Sequence, residues 1–558
     1  MMISRFIIIF ICLLPITAGL AGAILPATGW FAPLGRYQFS MEPLNLFLEQ
    51  PGIWSSIWLS IFTAFIATLI SYVLALFLLA RFTYIGRSGI LFRLLSPILA
   101  VPHITIAVGF LFLLQPSGWL FRLISPWLTG WFRPPDIYLI PDAYGIGLII
   151  ALVAKELPFL LLMGLSALSQ IRVNDYMDCA TSLGYSRHSA WLYAIHPQLA
   201  KRMRLPVLIV LMFSISVIDM ALVLAPTVPL PLAPRILEWF HDPDLSYQFI
   251  AAIGAVVQLV LAFICCVIWI GSGYIFSRFI CYQTYLGKRG YVYPPIAYGC
   301  KYLIFMMAIL PCLIAILGLI SVTIWGFANI WRFPAVLPDQ WGVRAWIHTS
   351  DIMVIAGANS LIIAGLSSLF SLILAMVWLE QKSLTRHTQL EKWLYLPLLL
   401  PQASFLFGLQ ILLILVRLDG FYITLIWVHM LFVFPYVMLS LSAVWRQFDQ
   451  RYTDMAATLG ASRVRQFFRI KLPLLLTPIM TAFAIGFSVS CALYLPTIFA
   501  SNGRMITLTT EAVTLASSAS RKALGVASVL QMAMPLVVFL ICDMVLRWRF
   551  RQFRYFDH

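Results

Sequence analysis

The strongest constraint on this chain is a series of apolar runs, each about twenty residues long. That is the length a helix needs to cross roughly 30 Å of hydrocarbon. The runs fall near 6–25, 53–79, 94–115, 144–168, 206–226, 249–276, 301–326, 353–378, 394–416, 421–444, 475–497 and 525–546. Lipid admits only helices and closed barrels, because every backbone polar group must be satisfied internally. Leu, Ile, Phe, Ala and Val fill these runs without the alternation a barrel strand requires. The fold class expected is all-α and polytopic, with about twelve transmembrane helices. Composition agrees: 10% of residues are charged, against about 25% in a soluble domain. The first run ends in Ala21-Gly22-Ala23, which resembles a signal-peptide cleavage site, but it is long for a signal sequence and is read as a retained span.

The formal charge of +16 is not spread at random. With a cytoplasmic N-terminus, 26 of the 37 Lys and Arg residues fall on the inner side. They are Arg5, those of the segments 80–93, 170–204, 278–301, 379–392 and 446–471, and those of the tail from Arg547. Ten fall outside and Lys155 lies within a span. This positive-inside bias predicts a multi-pass inner (plasma) membrane protein with both termini in the cytoplasm. It also makes the lipid bilayer, rather than nucleic acid, the partner of the positive charge. The tail "RWRFRQFR" (547–554) reads as an anchor beside anionic lipid. None of the nine Cys lies in an expected outer loop and no paired CxxC occurs, so neither disulfide nor metal site is implied.

The chain repeats itself. "SIFTAFIATLISYVLA" (60–75) matches "SLIIAGLSSLFSLILA" (360–375), with Ser60 on Ser360 and Ser71 on Ser371. "SPILAVPHITIAVGF" (96–110) matches "LPLLLPQASFLFGL" (396–409), placing Pro102 and Gly109 on Pro401 and Gly408. "LPFLLLMGLSAL" (157–168) matches "FPYVMLSLSAV" (434–444), and "LAPT" (224–227) matches "YLPT" (494–497). Each half has six expected spans, and an even number keeps both halves in one orientation, so the repeat is parallel. A pathway along the pseudo-twofold axis is expected.

Within each half stands one stretch too polar for a span: "DCATSLGYSRHSAWLYAIHP" (178–197) and "DMAATLGASRVRQFFRIKLP" (454–473). They share seven of twenty positions. Both read as a helix, a turn and a second helix. Gly460 suits a left-handed helix end, Ser462 suits an N-cap, and the Pro opens the next span. Phe467, Phe468 and Ile470 offer an apolar face, while Arg463, Arg465 and Arg469 stay wet. Such a loop can lie on the membrane surface or dock into a partner's groove.

The pattern acid-x-Ala-x3-Gly-x9-Ile-x-Leu-Pro resembles the EAA loop of ABC-importer permeases. The second copy supplies Asp454, Ala456, Gly460, Ile470, Leu472 and Pro473; the first supplies Asp178, Ala180, Gly184 and Pro197, with Ala194 and His196 at the Ile and Leu positions. Asp replaces the usual Glu in both, which shortens the acid's reach. The resemblance covers roughly 53–276 and 353–547 and is to fused permeases of the ferric-iron, thiamine and sulfate type. It implies a type I importer permease fold, with each loop seated in one of two copies of a cytoplasmic ABC ATPase and a periplasmic solute-binding protein delivering the substrate. It implies five segments: an N-terminal span and outer loop (1–52), a first permease domain (53–276), a linker with span seven and an outer loop (277–352), a second permease domain (353–547) and a basic tail (548–558). The chain carries no G-x4-G-K-[ST]; Gly287-Lys288 lacks the upstream Gly and the following Ser or Thr. A transporter subunit without its own ATPase site, catalytic residue or cofactor is expected.

Ionisable residues inside spans are costly and mark candidate paths. Lys155, Glu156 and Asp219 are three such residues, all in the first half, where the second half carries Phe432, Val433 and Val489 or Ser490. Lys155 and Glu156 are adjacent and cannot share a helix face; either could pair with Asp219, as a structural ion pair or as part of a pathway lining. His103 and Gln402, just after the matched prolines, are further candidates for a central path. Segment 502–513, with Arg504 and Glu511, is either a binding-protein contact or an ordinary solvated loop. Trp119, Trp127 and Trp131 with Arg122 read as interfacial anchors. The alternative class is a major-facilitator-type secondary transporter, also six plus six. That class offers no reason for twin docking loops, and "RFTYIGRSG" (81–89) lacks the acid and paired Arg of its signature. A membrane enzyme is a third class, and no cluster of His, Cys and acid at one membrane face supports it. The solute, either ferric iron or thiamine by resemblance, does not follow from the residues.

Overall fold

The computed structural model describes residues 2–85, 98–287, 294–382, 390–518 and 520–549. Twenty of its helices, ten in each half, build the repeat. The first set is α1 (Met2–Ala27), α2 (Ile53–Ile85), α3 (His103–Leu114), α4 (Ile146–Leu168), α5 (Val173–Ser182), α6 (Arg187–Ala190), α7 (His196–Ser216), α8 (Asp219–Leu224), α9 (Leu232–Phe240) and α10 (Tyr247–Tyr285). The second is α11 (Pro294–Phe327), α12 (Arg344–Lys382), α13 (Gln402–Leu415), α14 (Tyr422–Gln447), α15 (Arg451–Thr458), α16 (Arg463–Gln466), α17 (Leu476–Ala492), α18 (Leu495–Ser501), α19 (Leu508–Ala516) and α20 (Arg521–Arg549). A two-stranded ladder, Ala328–Ile330 with Gln340–Trp341, closes the turn between α11 and α12.

The packing repeats as the sequence does. α2 lies on α4 and α12 on α14; α7 lies on α2 and α17 on α12; α9 lies on α10 and α19 on α20. Position by position the match is chemical as well. Ser60 Oγ accepts from the backbone N–H of Leu232 at 2.7 Å, and Ser360 Oγ from that of Leu508 at 2.9 Å. The two serines aligned by sequence thus hold the first residue of α9 and of α19.

The first span of each set crosses to the other half: α1 packs along α13, and α11 along α3. Lipid offers no hydrophobic drive between helices, so close backbone approach through small residues supplies the attraction. The aligned glycines make these crossings. A Cβ on Gly109 would stand 2.9 Å from the carbonyl carbon of Gly318, and one on Gly408 would collide with the backbone of Gly19 and Gly22. α1 is thereby part of the bundle, with Ile16 and Ala23 fully buried.

Among the described residues, nine helices are long and apolar enough to cross a membrane, and eleven segments qualify if two bent pairs count. The bends, 93° before α13 and 75° before α17, lie in the expected spans 394–416 and 475–497. The expected span 206–226 is broken into α7 and α8 at Val217, and Lys201, Arg202 and Arg204 occupy the start of α7. The expected span 94–115 is broken at Val101-Pro102: Ile98–Ala100 are helical, and Pro102 is the N-cap of α3. The tail anchor from residue 550 lies outside the described residues, as do parts of the 80–93, 278–301 and 379–392 loops.

Candidate functional site

Two cavities lie where the halves meet. The first, about 100 Å³, is lined from one half by His103, Phe213 and Asp219 and from the other by Gln402, Tyr436 and Tyr494. The second, about 160 Å³, shares His103, Phe213 and Tyr436 and adds Lys155, Glu156 and Ser488. His103 and Gln402, expected near a central path, both line the first cavity. Pro158 in α4 and Pro435 in α14, aligned by the repeat, interrupt the helix ladders beside these cavities.

The three ionisable residues take distinct places. Lys155 Nζ donates to the carbonyls of Ile98, Leu99 and Val101 at 3.0, 2.9 and 2.5 Å. Ile98–Ala100 are the end of a helix, and the last carbonyls of a helix have no partner within it. Glu156 Oε1 lies 3.5 Å from His103 Nε2, and the His103 ring lies 4.4 Å from that of Phe213. Asp219 begins α8, just past the break, and is 7% exposed. The expected direct pairing of Lys155 or Glu156 with Asp219 is not formed: the ammonium is taken by carbonyls and the Glu156 carboxylate by His103. Lys155 and Glu156, adjacent in sequence, nevertheless both line the second cavity.

The repeated loops have the same geometry. α5 and α15 end at Gly184 and Gly460, whose φ values of +85° and +79° are left-handed. Ser186 Oγ caps α6 by accepting from Ser189 N, and Ser462 Oγ caps α16 by accepting from Arg465 N. A π-helical turn follows at the same place in each, Trp191–Ile195 and Phe467–Lys471. Asp178 and Asp454 are exposed, as are the aligned Leu183 (60%) and Leu459 (87%). Ala180 and Ile470 are half-buried, Ala456 is buried, and Pro197, Leu472 and Pro473 are half-buried at the start of the following helix. The loops differ at their roots. Lys471 Nζ bonds Glu380 of α12 at 2.6 Å and lies 4.8 Å over the Trp445 ring, whereas the aligned residues are Ile195 and Ala80.

At the other end, the interfacial-anchor reading of Arg122 and Trp119 fails. Arg122 is 3% exposed, donates to the carbonyls of Ser117, Arg332 and Ala335, and stacks 4.5 Å over Trp331. Trp119 Nε1 donates to Val336. Both clamp the α11–α12 connection; Trp127 stays exposed. Arg504 is tied to Asp419, and desolvation pushes the carboxyl of Glu511, in α19, above its ordinary range.

Sequence reasoning passed over His429, which is fully buried in α14. Its ring nitrogens meet Ser490 Oγ at 2.8 Å and Thr497 Oγ1 at 3.0 Å. An imidazole inside an apolar run was the available signal. Tyr436 was missed for a different reason: in sequence it is one more aromatic, and only the folded chain sets it in both cavities.

Two related helical halves with exchanged first helices, cavities where they meet and one similarly built loop in each make up the described fold. The chain belongs to the ABC transporter permease family: a curated member is 30% identical to it over 457 residues, covering 81% of this chain and 80% of that protein. That relative is the inner membrane ABC transporter permease protein YnjC of Escherichia coli (strain K12). No family model matches the chain.

Proposed function

We propose that the chain is the fused permease of a binding-protein-dependent importer, with domains at 53–276 and 353–547, both termini cytoplasmic and the inner membrane as its site. Residues 1–52 and 277–352 supply the exchanged spans and outer loops, and 548–558 a basic tail. Each loop seats in one copy of a separate ABC ATPase, which supplies the energy. Asp178, Ala180, Gly184 and Pro197 form one grip; Asp454, Ala456, Gly460, Ile470, Leu472 and Pro473 form the other. Motion of the ATPases opens the cavities at His103, Asp219 and Tyr436 alternately to each side. A small solute such as ferric iron or thiamine, delivered by a periplasmic binding protein, would pass there.

The observation that carries this reading is the pair of identically built loops whose Leu183 and Leu459 are left uncovered by the chain itself. Exposed apolar residues gathered on one short loop, as Met455, Leu459, Val464 and Phe468 are on the second, are typical of a docking surface. Gly460→Val tests it. A β-branched residue strains a left-handed turn, while a Cβ there meets nothing within 4 Å, so the bundle is spared. ATP-driven uptake should fall to background with the protein still inserted at normal abundance; normal uptake by stable Gly460→Val protein would refute the coupling role.

A further inference from the structure

A concavity larger than either cavity at the meeting of the halves lies apart from them, at the root of the first loop. It is a crevice of about 860 Å³ between α2, α7 and α10, reaching from Phe65 to Ala80 along α2. Fifteen residues of helix are about 22 Å, somewhat more than one leaflet of a hydrocarbon core about 30 Å thick. Its walls are apolar and aromatic, with Trp269 packed against both Phe65 and Tyr72 at 5.7 Å. One end is polar. Lys201 and Arg204 of α7 line it and are exposed, and among the described residues no carboxylate pairs with either. Two buried side chains in the same wall carry polar atoms without a partner: Trp191 Nε1 and His196 Nδ1, each on a residue 7% exposed. Orphaned buried polar atoms are rare in finished structures and ask for a ligand or water.

The aligned place in the second half is built differently. There Lys471 meets Glu380, and the residues aligned with Lys201, Arg204 and His196 are Thr477, Met480 and Leu472. This set of cationic and orphaned side chains is thus particular to the first half, at the root of the loop whose His196 departs from the family pattern.

We propose that this crevice binds one anionic phospholipid, its phosphate on Lys201 and Arg204 and an acyl chain along α2 and α10 past Gly273. Charge complementarity selects the headgroup, and the length and apolarity of the groove select a chain rather than a soluble anion. The lipid supplies at the first loop's root the anion that Glu380 supplies at the second's.

The test is native mass spectrometry of the full chain released from mixed phosphatidylglycerol and phosphatidylcholine. Wild type should retain phosphatidylglycerol in preference, by about fivefold for each cation engaged. Lys201→Ala/Arg204→Ala should abolish the preference. Gly273→Trp, where a Cβ meets nothing within 4 Å, should fill the groove and lower retention of the lipid without unfolding the chain. Arg463→Ala/Arg465→Ala, on the other loop, should change neither. Equal retention of both lipids by wild type, or a preference that survives the double variant, would overturn the proposal. So would displacement by glycerol phosphate as readily as by phosphatidylglycerol, which would mark a plain anion site.

Discussion

Lys155 stands where a break in a membrane helix leaves three carbonyls without partners. An ammonium has three N–H donors, and here each has an oxygen within reach. Membrane protein interiors tolerate non-helical backbone only when something satisfies it. Lys155→Met keeps the bulk and strands the oxygens, at about 1–3 kcal/mol for each buried group left unmet. The melting temperature of the purified chain should fall by several degrees, and a value equal to wild type would refute this capping role. The sequence marked Lys155 as costly but could not say what it bonds, since its partners are backbone atoms more than fifty residues away. His429 shows the converse: its two hydroxyl partners are ordinary residues in sequence, and only folding brings them to both ring nitrogens.

At the scale of elements, the repeat was legible wherever local chemistry fixes local structure. A left-handed Gly, a capping Ser and a helix-opening Pro announce the end loops by residue type alone, and both loops adopt that form. Ser60 and Ser360 aligned, and each accepts from the equivalent N–H, of Leu232 and of Leu508. The exchange of α1 and α11 between halves was not legible. Apolar periodicity states that a helix is buried, not against which neighbour, and two related halves offer two equivalent partners. Gly109 and Gly408 carried a trace of it, as matched positions without a side chain. Their role predicts an effect. Gly408→Val should prevent α1 from seating on α13, so that folded protein recovered from membranes drops severalfold, while Gly357→Val, where a Cβ meets nothing within 4 Å, should be tolerated. Equal yields of the two variants would contradict the close-crossing account. Arg122 was misplaced for a related reason: an Arg among tryptophans is the pattern of an interface anchor, and a carbonyl cage from a distant connection cannot be seen in sequence.

For the whole molecule, the repeat sets the two cavities where the halves meet and one loop in each half. The two loops are alike in backbone and unlike at their roots, where one has Lys471–Glu380 and the other the crevice beside His196. In the proposed function, the connection from each loop to α7 or α17 carries a partner's movement to the cavities. That is the account's central claim, and Cys179 gives access to it. This thiol lies in α5 beside Ala180 and is exposed. With a Cys introduced into the cleft of the cognate ATPase, Cys179 in the assembled transporter should crosslink to it, with a yield that changes when nucleotide binds. Free labelling of Cys179 by a bulky cytoplasmic thiol reagent, unaffected by the assembled ATPase and accompanied by no crosslink in any nucleotide state, would contradict docking through this loop.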